Sequence, residues 1–151
     1  MKKFFFDLNR NLATTSRLKT VCFKETYGRH ILRKVIANLH IERALDIGSG
    51  EGHDLTVLRE YFPKASLSAI DHKDIHFEEL KNFEIAAHRL NIEKDKLPFA
   101  DGKLDFVIAN QVLEHIKEIF WINHEVFRVL KLGGFFFIGV PNGLAFHNRI
   151  L

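Results

Sequence analysis

Arg43-Ala-Leu-Asp-Ile-Gly-Ser-Gly-Glu-Gly-His53, followed by Ser66-Leu-Ser-Ala-Ile-Asp71, reads as an apolar strand, a glycine turn, the start of a helix and a second strand that ends on an acid. That order predicts a nucleoside-cofactor site in a doubly wound α/β domain. Gly48, Gly50 and Gly52 alternate with Ser49 and Glu51. The backbone can therefore turn sharply after Ala44-Leu45-Asp46-Ile47 and approach a ligand with no Cβ in the way. The dinucleotide fingerprint G-x-G-x-x-G would put its third glycine where this chain has His53, which argues against NAD or FAD. Asp71 falls 19 residues beyond Gly52, at the end of the next strand, where a carboxylate can accept both hydroxyls of a ribose. A glycine turn alone serves equally well as a tight strand-to-helix connection. Asp71 in register is what moves the reading toward a ligand.

Outward from this stretch, apolar and polar segments alternate as strand and helix. Ile31, Leu32, Val35, Ile36 and Leu39 recur at helical spacing within residues 26–39, with Arg29, Arg33 and Lys34 assigned to the polar side. Leu55, Val57, Leu58 and Phe62 predict a helix ended by Pro63, and Leu67 to Ile70 the second strand. A short helix is expected over 73–80, a third strand over 83–87, and a fourth, apolar and β-rich, over 105–109. Helical turns follow over 111–117 and 123–130, with Gly133-Gly134 ending the second before a strand from Phe135 to Val140. Alternation of this kind predicts a Rossmann-like parallel sheet of about five strands with helices on both faces. Residues 1–25 show no clean period and are expected to form an N-terminal arm or cap, with residues 26–151 as the single domain.

Five segments, in order, resemble the class I methyltransferases that use S-adenosylmethionine, especially the small-molecule group that includes the ubiquinone and menaquinone methyltransferases. Leu45-Asp-Ile-Gly-Ser-Gly-Glu-Gly52 is similar to the family's first motif and Ala69-Ile-Asp71 to its ribose-binding acid. Leu97-Pro-Phe-Ala-Asp101 with Leu104-Asp-Phe-Val-Ile108 is similar to the fourth-strand region, and Val112-Leu-Glu-His-Ile116 to the segment after it. Arg128-Val-Leu-Lys-Leu-Gly-Gly134 leading into Phe135-Phe-Phe-Ile138 is similar to the helix, turn and fifth strand. The resemblance implies S-adenosyl-L-methionine as cofactor, S-adenosyl-L-homocysteine as product, and a methyl acceptor that is a small molecule of unidentified kind. The family usually continues with a further helix and an antiparallel hairpin, whereas this sequence stops at Leu151. A truncated fold is therefore expected, lacking the C-terminal hairpin and leaving an edge strand rich in Phe135, Phe136 and Phe137, which favours homo-oligomers. That absence also supports an alternative reading: a binding module without activity of its own, needing a partner or the missing segment.

Site residues follow from the same resemblance. Asp46 lies within an apolar strand, where a carboxylate costs several kcal/mol unless hydrogen-bonded, and the family's acid here holds the turn and the methionyl amine. Gly48, Ser49, Gly50 and Gly52 are assigned to the methionine and ribose side, Asp71 to the ribose, and His72 to a position beside the adenine. Asn91 and Ile92 occupy the place where the family grips the adenine, with Asn91 standing where an aspartate is commoner, and Asn110 is assigned to the cofactor floor. His115 and His147 are the candidates for contact with the acceptor, although a histidine at a helix end or chain end more often has only a structural role or none. No carboxylate pair, Ser-His-Asp set or metal-ligand spacing is evident, so hydrolysis and metal chemistry lack sequence support. Methyl transfer needs neither, because the sulfonium already activates the methyl group and the protein has mainly to align acceptor and donor and exclude water.

Composition narrows the setting. The 151 residues are 46% hydrophobic and 27% charged, in keeping with an ordinary soluble globular domain, and carry a net charge of +3 with nine histidines. The basic residues are scattered rather than striped, so nucleic acid is not indicated as a partner. Cys22 is the only cysteine, which rules out a disulfide or a cysteine metal site within one chain and favours a reducing compartment. Met1-Lys-Lys-Phe-Phe-Phe6 begins like a signal peptide, but Asp7, Asn9 and Arg10 cut the apolar run short, and no stretch nears ~18 uncharged apolar residues. A cytoplasmic location away from membranes is expected.

Overall fold

A computed structural model describes residues 28–141. The expected arm over residues 1–25, Cys22 and His147 lie outside the described residues. The elements are α1 (Arg29–Ile36), β1 (Arg43–Ile47), α2 (His53–Tyr61), β2 (Ser66–Asp71), α3 (Phe77–Asn82), β3 (Ile85–Arg89), β4 (Leu104–Asn110), a 3-10 turn (Leu113–His115), α4 (Ile119–Val129) and β5 (Leu130–Gly139). The five strands pair in parallel in the order β3-β2-β1-β4-β5. The chain thus builds one half outward from β1 and then returns to place β4 on its other side. Asp46 stands between Ala69 and Ile108 in this register. The crevice above the carboxyl ends of β1 and β4 is where a doubly wound sheet takes ligands.

Burial explains why the middles of β1 and β4 are mainly apolar and why β2 carries Leu67, Ala69 and Ile70. One core layer joins Leu32, Ile36, Leu55 and Leu58 of the helices to Ala44, Ala69, Phe106 and Ile108 on one sheet face. A second layer on the opposite face joins Leu45, Ile47, Ile70 and Val107 to Ile122, Val126 and Val129 of α4. Strands covered on both faces have few side chains free to meet water, so apolar residues occupy both sides of them.

Four local expectations are corrected. On α1 the buried stripe is Arg29, Leu32 and Ile36, whereas Ile31 and Val35 are exposed. A single helix against a sheet buries a narrow stripe at spacings of three and four, and Arg29 lies on it rather than on the polar side. Helix α3 begins at Phe77 rather than Lys73, and the Phe83 and Glu84 amides close onto Leu80 and Lys81, which delays β3 to Ile85. Helix α4 starts four residues before the expected Asn123, at Ile119. It ends at Val129 without using Gly133-Gly134; the pairing passes from Leu104↔Leu130 to Phe106↔Phe135, so that glycine pair sits in an irregular stretch of β5.

One ion pair on α4 fixes the loop that leads toward β4. Glu125 on α4 is 1% exposed and accepts from the Leu97 amide at 2.9 Å and from Arg128 Nε and Nη2 at 2.8 and 2.7 Å. Arg128 also donates to the Phe99 and Leu97 carbonyls at 2.8 and 3.0 Å. The Leu97-Pro98-Phe99 segment is thereby tied to α4. The Arg128 guanidinium holds the Glu125 carboxyl below its usual range.

Candidate functional site

Gly48 leaves the end of β1 with its amide on the Ile70 carbonyl at 2.7 Å and a φ of 69°. A Cβ at this position would collide with the Val112 side chain, so the glycine is required by both its backbone conformation and its neighbour. Gly50 donates its amide to Asp71 Oδ2 at 3.0 Å, while Asp71 Oδ1 accepts from the Lys73 amide at 3.1 Å and lies 3.0 Å from His72 Nδ1. The acid at the end of β2 is therefore held against the glycine turn. Each carboxylate oxygen retains acceptor capacity.

Beside this acid lies a cleft of about 890 Å³. Gly48, Asp71, His72, Asn91, Ile92 and His115 all line it, so the structure brings these expected site residues together. Asn91 forms a local turn in which its Oδ1 accepts from the Glu93 amide at 3.0 Å and its own amide donates to Asp95 at 2.8 Å. His115 is exposed, 3.9 Å from the Glu114 carboxylate.

A smaller lobe of about 400 Å³ shares Gly48 and Gln111 with the cleft and is lined by Ser49, Gly50 and Asn110 together with Arg29 and Asp54. Arg29 Nε meets Asp54 Oδ1 at 2.8 Å and Asn110 Nδ2 donates to Asp54 Oδ2 at 3.0 Å, all three residues being buried. Ser49 Oγ and Asn110 Oδ1 are buried without a hydrogen-bond partner. Asp46, on β1, is 2% exposed and lines neither the cleft nor the smaller lobe. Burial pushes its carboxyl well above the ordinary range, Asp54 and Asp71 add to the rise, and Arg29 opposes it. Gly52 is in neither lobe: it caps α2 and faces Leu80, where a Cβ would come within 2.5 Å.

Sequence reading missed Arg29, Asp54, Gln111 and Val112 as parts of the site. Asp54 carried a partial signal as an acid in the first turn of a helix that follows a glycine loop. Gln111 adopts a φ of 60° and donates its amide to Gly139 at 2.7 Å, a bend that nothing in its neighbours announces. Among the described residues no group of histidines, cysteines and acids could hold a metal ion, and no helix is long and apolar enough to cross a membrane.

A family profile described as a methyltransferase domain matches residues 45–138, well over half of the chain. The chain belongs to the class I S-adenosylmethionine-dependent methyltransferase family. It is 27% identical over 114 residues to the malonyl-[acyl-carrier protein] O-methyltransferase of Legionella pneumophila, covering 74% of this chain and 40% of that protein. It is 28% identical over 95 residues to the ubiquinone/menaquinone biosynthesis C-methyltransferase of Desulfotalea psychrophila, covering 61% and 38%. The chain thus spans less than half the length of these relatives. A crystal structure of a Pyrococcus horikoshii protein superposes with a TM-score of 0.68 at 21% identity, covering 93% of this chain and 61% of that one. The trans-methyltransferase CalH, in complex with S-adenosylhomocysteine, superposes at 0.55 with 27% identity, covering 64% and 31%.

The family's cofactor is S-adenosylmethionine, and the groups present fit it. A cleft with an acid at the end of β2 adjoins a lobe with two buried oxygens that have no hydrogen-bond partner, which suits a nucleoside joined to a primary ammonium.

Proposed function

We propose that this methyltransferase domain binds S-adenosylmethionine across the two lobes and transfers a methyl group to a small-molecule acceptor. The observation that carries the reading is Asp71, pinned to the Gly50 amide beside a cleft that adjoins the smaller lobe lined by Ser49 and Asn110. Asp71 would take the ribose hydroxyls, and His72, Asn91 and Ile92 would flank the adenine. Gly48, Ser49 and Gly50 would pass close to the chain joining sugar and amino acid. Asn110 would face the ammonium and the buried Asp46 would act on it through its charge, while Gly52 supports the turn. The bound cofactor supplies a methyl group already made electrophilic by its sulfonium. The protein's part is to fix that group and keep water away. His115 stands on the cleft lining, on the side open to solvent, where an acceptor could enter.

Titration calorimetry with S-adenosylhomocysteine, with NAD as control, tests this reading. Micromolar binding of the first alone is expected, and Asp71→Ala should weaken it at least ~30-fold, since hydrogen bonds to a charged group are worth about 1.5–3 kcal/mol each. Unchanged affinity in that variant, or binding of NAD instead, would overturn it. Turnover over a panel of acceptors separates a transferase from a domain that only binds. Two further proposals accompany this one. The exposed Phe135 and Ile138 of β5, with Val140 just after it, support self-association through that edge, which a monomer by light scattering would refute. A cytoplasmic location rests on the single cysteine and is checked by cell fractionation.

A further inference from the structure

We infer that Asp54 is a positioning residue for the amino-acid end of the cofactor: it holds the Asn110 amide in one orientation, so that the Asn110 carbonyl oxygen is presented to the ligand. The inference rests on the proposed cofactor reading and deepens it. A carboxylate can only accept, so the Asn110 atom 3.0 Å from Asp54 Oδ2 must be the amide nitrogen. Oδ1 is therefore the remaining polar atom of that side chain, and it is buried with no hydrogen-bond partner. Space for it exists because position 139 is glycine: a Cβ there would run into Asn110 Oδ1.

The other Asp54 oxygen holds Arg29 Nε at 2.8 Å, so one carboxylate orients both the amide and the guanidinium that line the smaller lobe. Ser49 Oγ is a second buried, unpartnered oxygen lining the same lobe. Two such oxygens give the lobe acceptors for the N–H donors of a primary ammonium. Buried polar atoms are seldom left unpaired in the functional state of a protein, so a ligand donor is the natural partner.

The test compares two ligands that share the adenosine but differ in the amino-acid end, S-adenosylhomocysteine and 5′-methylthioadenosine, on the full chain by calorimetry. Asp54→Asn replaces an obligate acceptor with a group that also donates, which frees the Asn110 amide to turn over. Affinity for S-adenosylhomocysteine should fall roughly tenfold, the scale set by one unsatisfied buried group, while that for 5′-methylthioadenosine stays within about twofold. Gly139→Ala, which displaces Asn110 Oδ1 without altering any charge, should give the same selective loss and decides the matter if Asp54→Asn fails to fold. Equal loss of both ligands, or loss of neither, overturns the inference and assigns Asp54 a purely structural part. Equal binding of both ligands by the wild type also overturns it while leaving the cofactor reading intact. Binding of neither ligand by the wild type overturns that reading as well.

Discussion

Replacing Gly48 with alanine perturbs the turn in two ways that can be separated. The residue sits at φ 69°, a left-handed conformation that costs a side-chain-bearing residue about 1–2 kcal/mol. Its new Cβ would also strike Val112, lying 3.3 Å from Cγ1 and closer still to Cγ2. Valine is stiff about χ1 and Val112 is half-buried, so relief requires movement of the segment after β4, and overpacking of this kind costs roughly 1–3 kcal/mol. The total, about 2–5 kcal/mol, is a large part of the ~5–15 kcal/mol that keeps a domain folded. Urea denaturation followed by circular dichroism measures it. Val112→Ala in the same chain should recover the steric share and leave the conformational share, so a double-mutant cycle should show coupling of about 1–3 kcal/mol. A Gly48→Ala protein within about 0.5 kcal/mol of wild type, or a cycle without coupling, would refute the reasoning.

Two buried acids carry the other expected outcomes. Glu125→Ala leaves the Leu97 amide without its partner and Arg128 with only Asp101 and two carbonyls, and should destabilise the domain by about 1–3 kcal/mol in thermal or urea unfolding. Because the folded-state pKa of Glu125 lies below its ordinary 4.5, its contribution is fully present above that pH and is lost as pH falls through the folded value. Glu125→Gln should therefore lose part of the acid dependence of stability, and an unchanged acid limb would count against the ion pair. For Asp46 the sign reverses: its folded pKa is raised above 3.8, so stability falls as pH rises through the interval from 3.8 to that higher value. At neutral pH Asp46→Asn should raise the melting temperature of the ligand-free protein while weakening S-adenosylhomocysteine. A lower melting temperature would show that the carboxylate is stabilised by something other than a ligand.

Asp71 was legible because everything that defines it is local: an apolar run, its end, and a fixed interval from a glycine turn. The same holds for Gly48 and Gly50, and for the layered strands whose apolar runs mark burial on both faces. Asn91 was found by its place before Leu97-Pro-Phe99, but the bond from the Glu93 amide to its own side chain was not, since an asparagine in a loop fits many turns. Gly133-Gly134 suggested a helix end and lies instead in the irregular start of β5, because glycine marks a departure from regular backbone without saying which.

Residue order alone thus establishes the parallel α/β layout, the glycine turn and the acid facing it, since periodicity and backbone freedom act over a few neighbouring residues. Which side chains meet in the smaller lobe is a matter of strand order. Placing β4 beside β1 brings Asn110 to Asp54 across 56 positions and sets Val112 against Gly48, while α1 delivers Arg29 to the same acid across 25. No local pattern encodes those meetings: they arise when the sheet closes its two halves around β1, and the charge balance of the site exists only after that packing is complete.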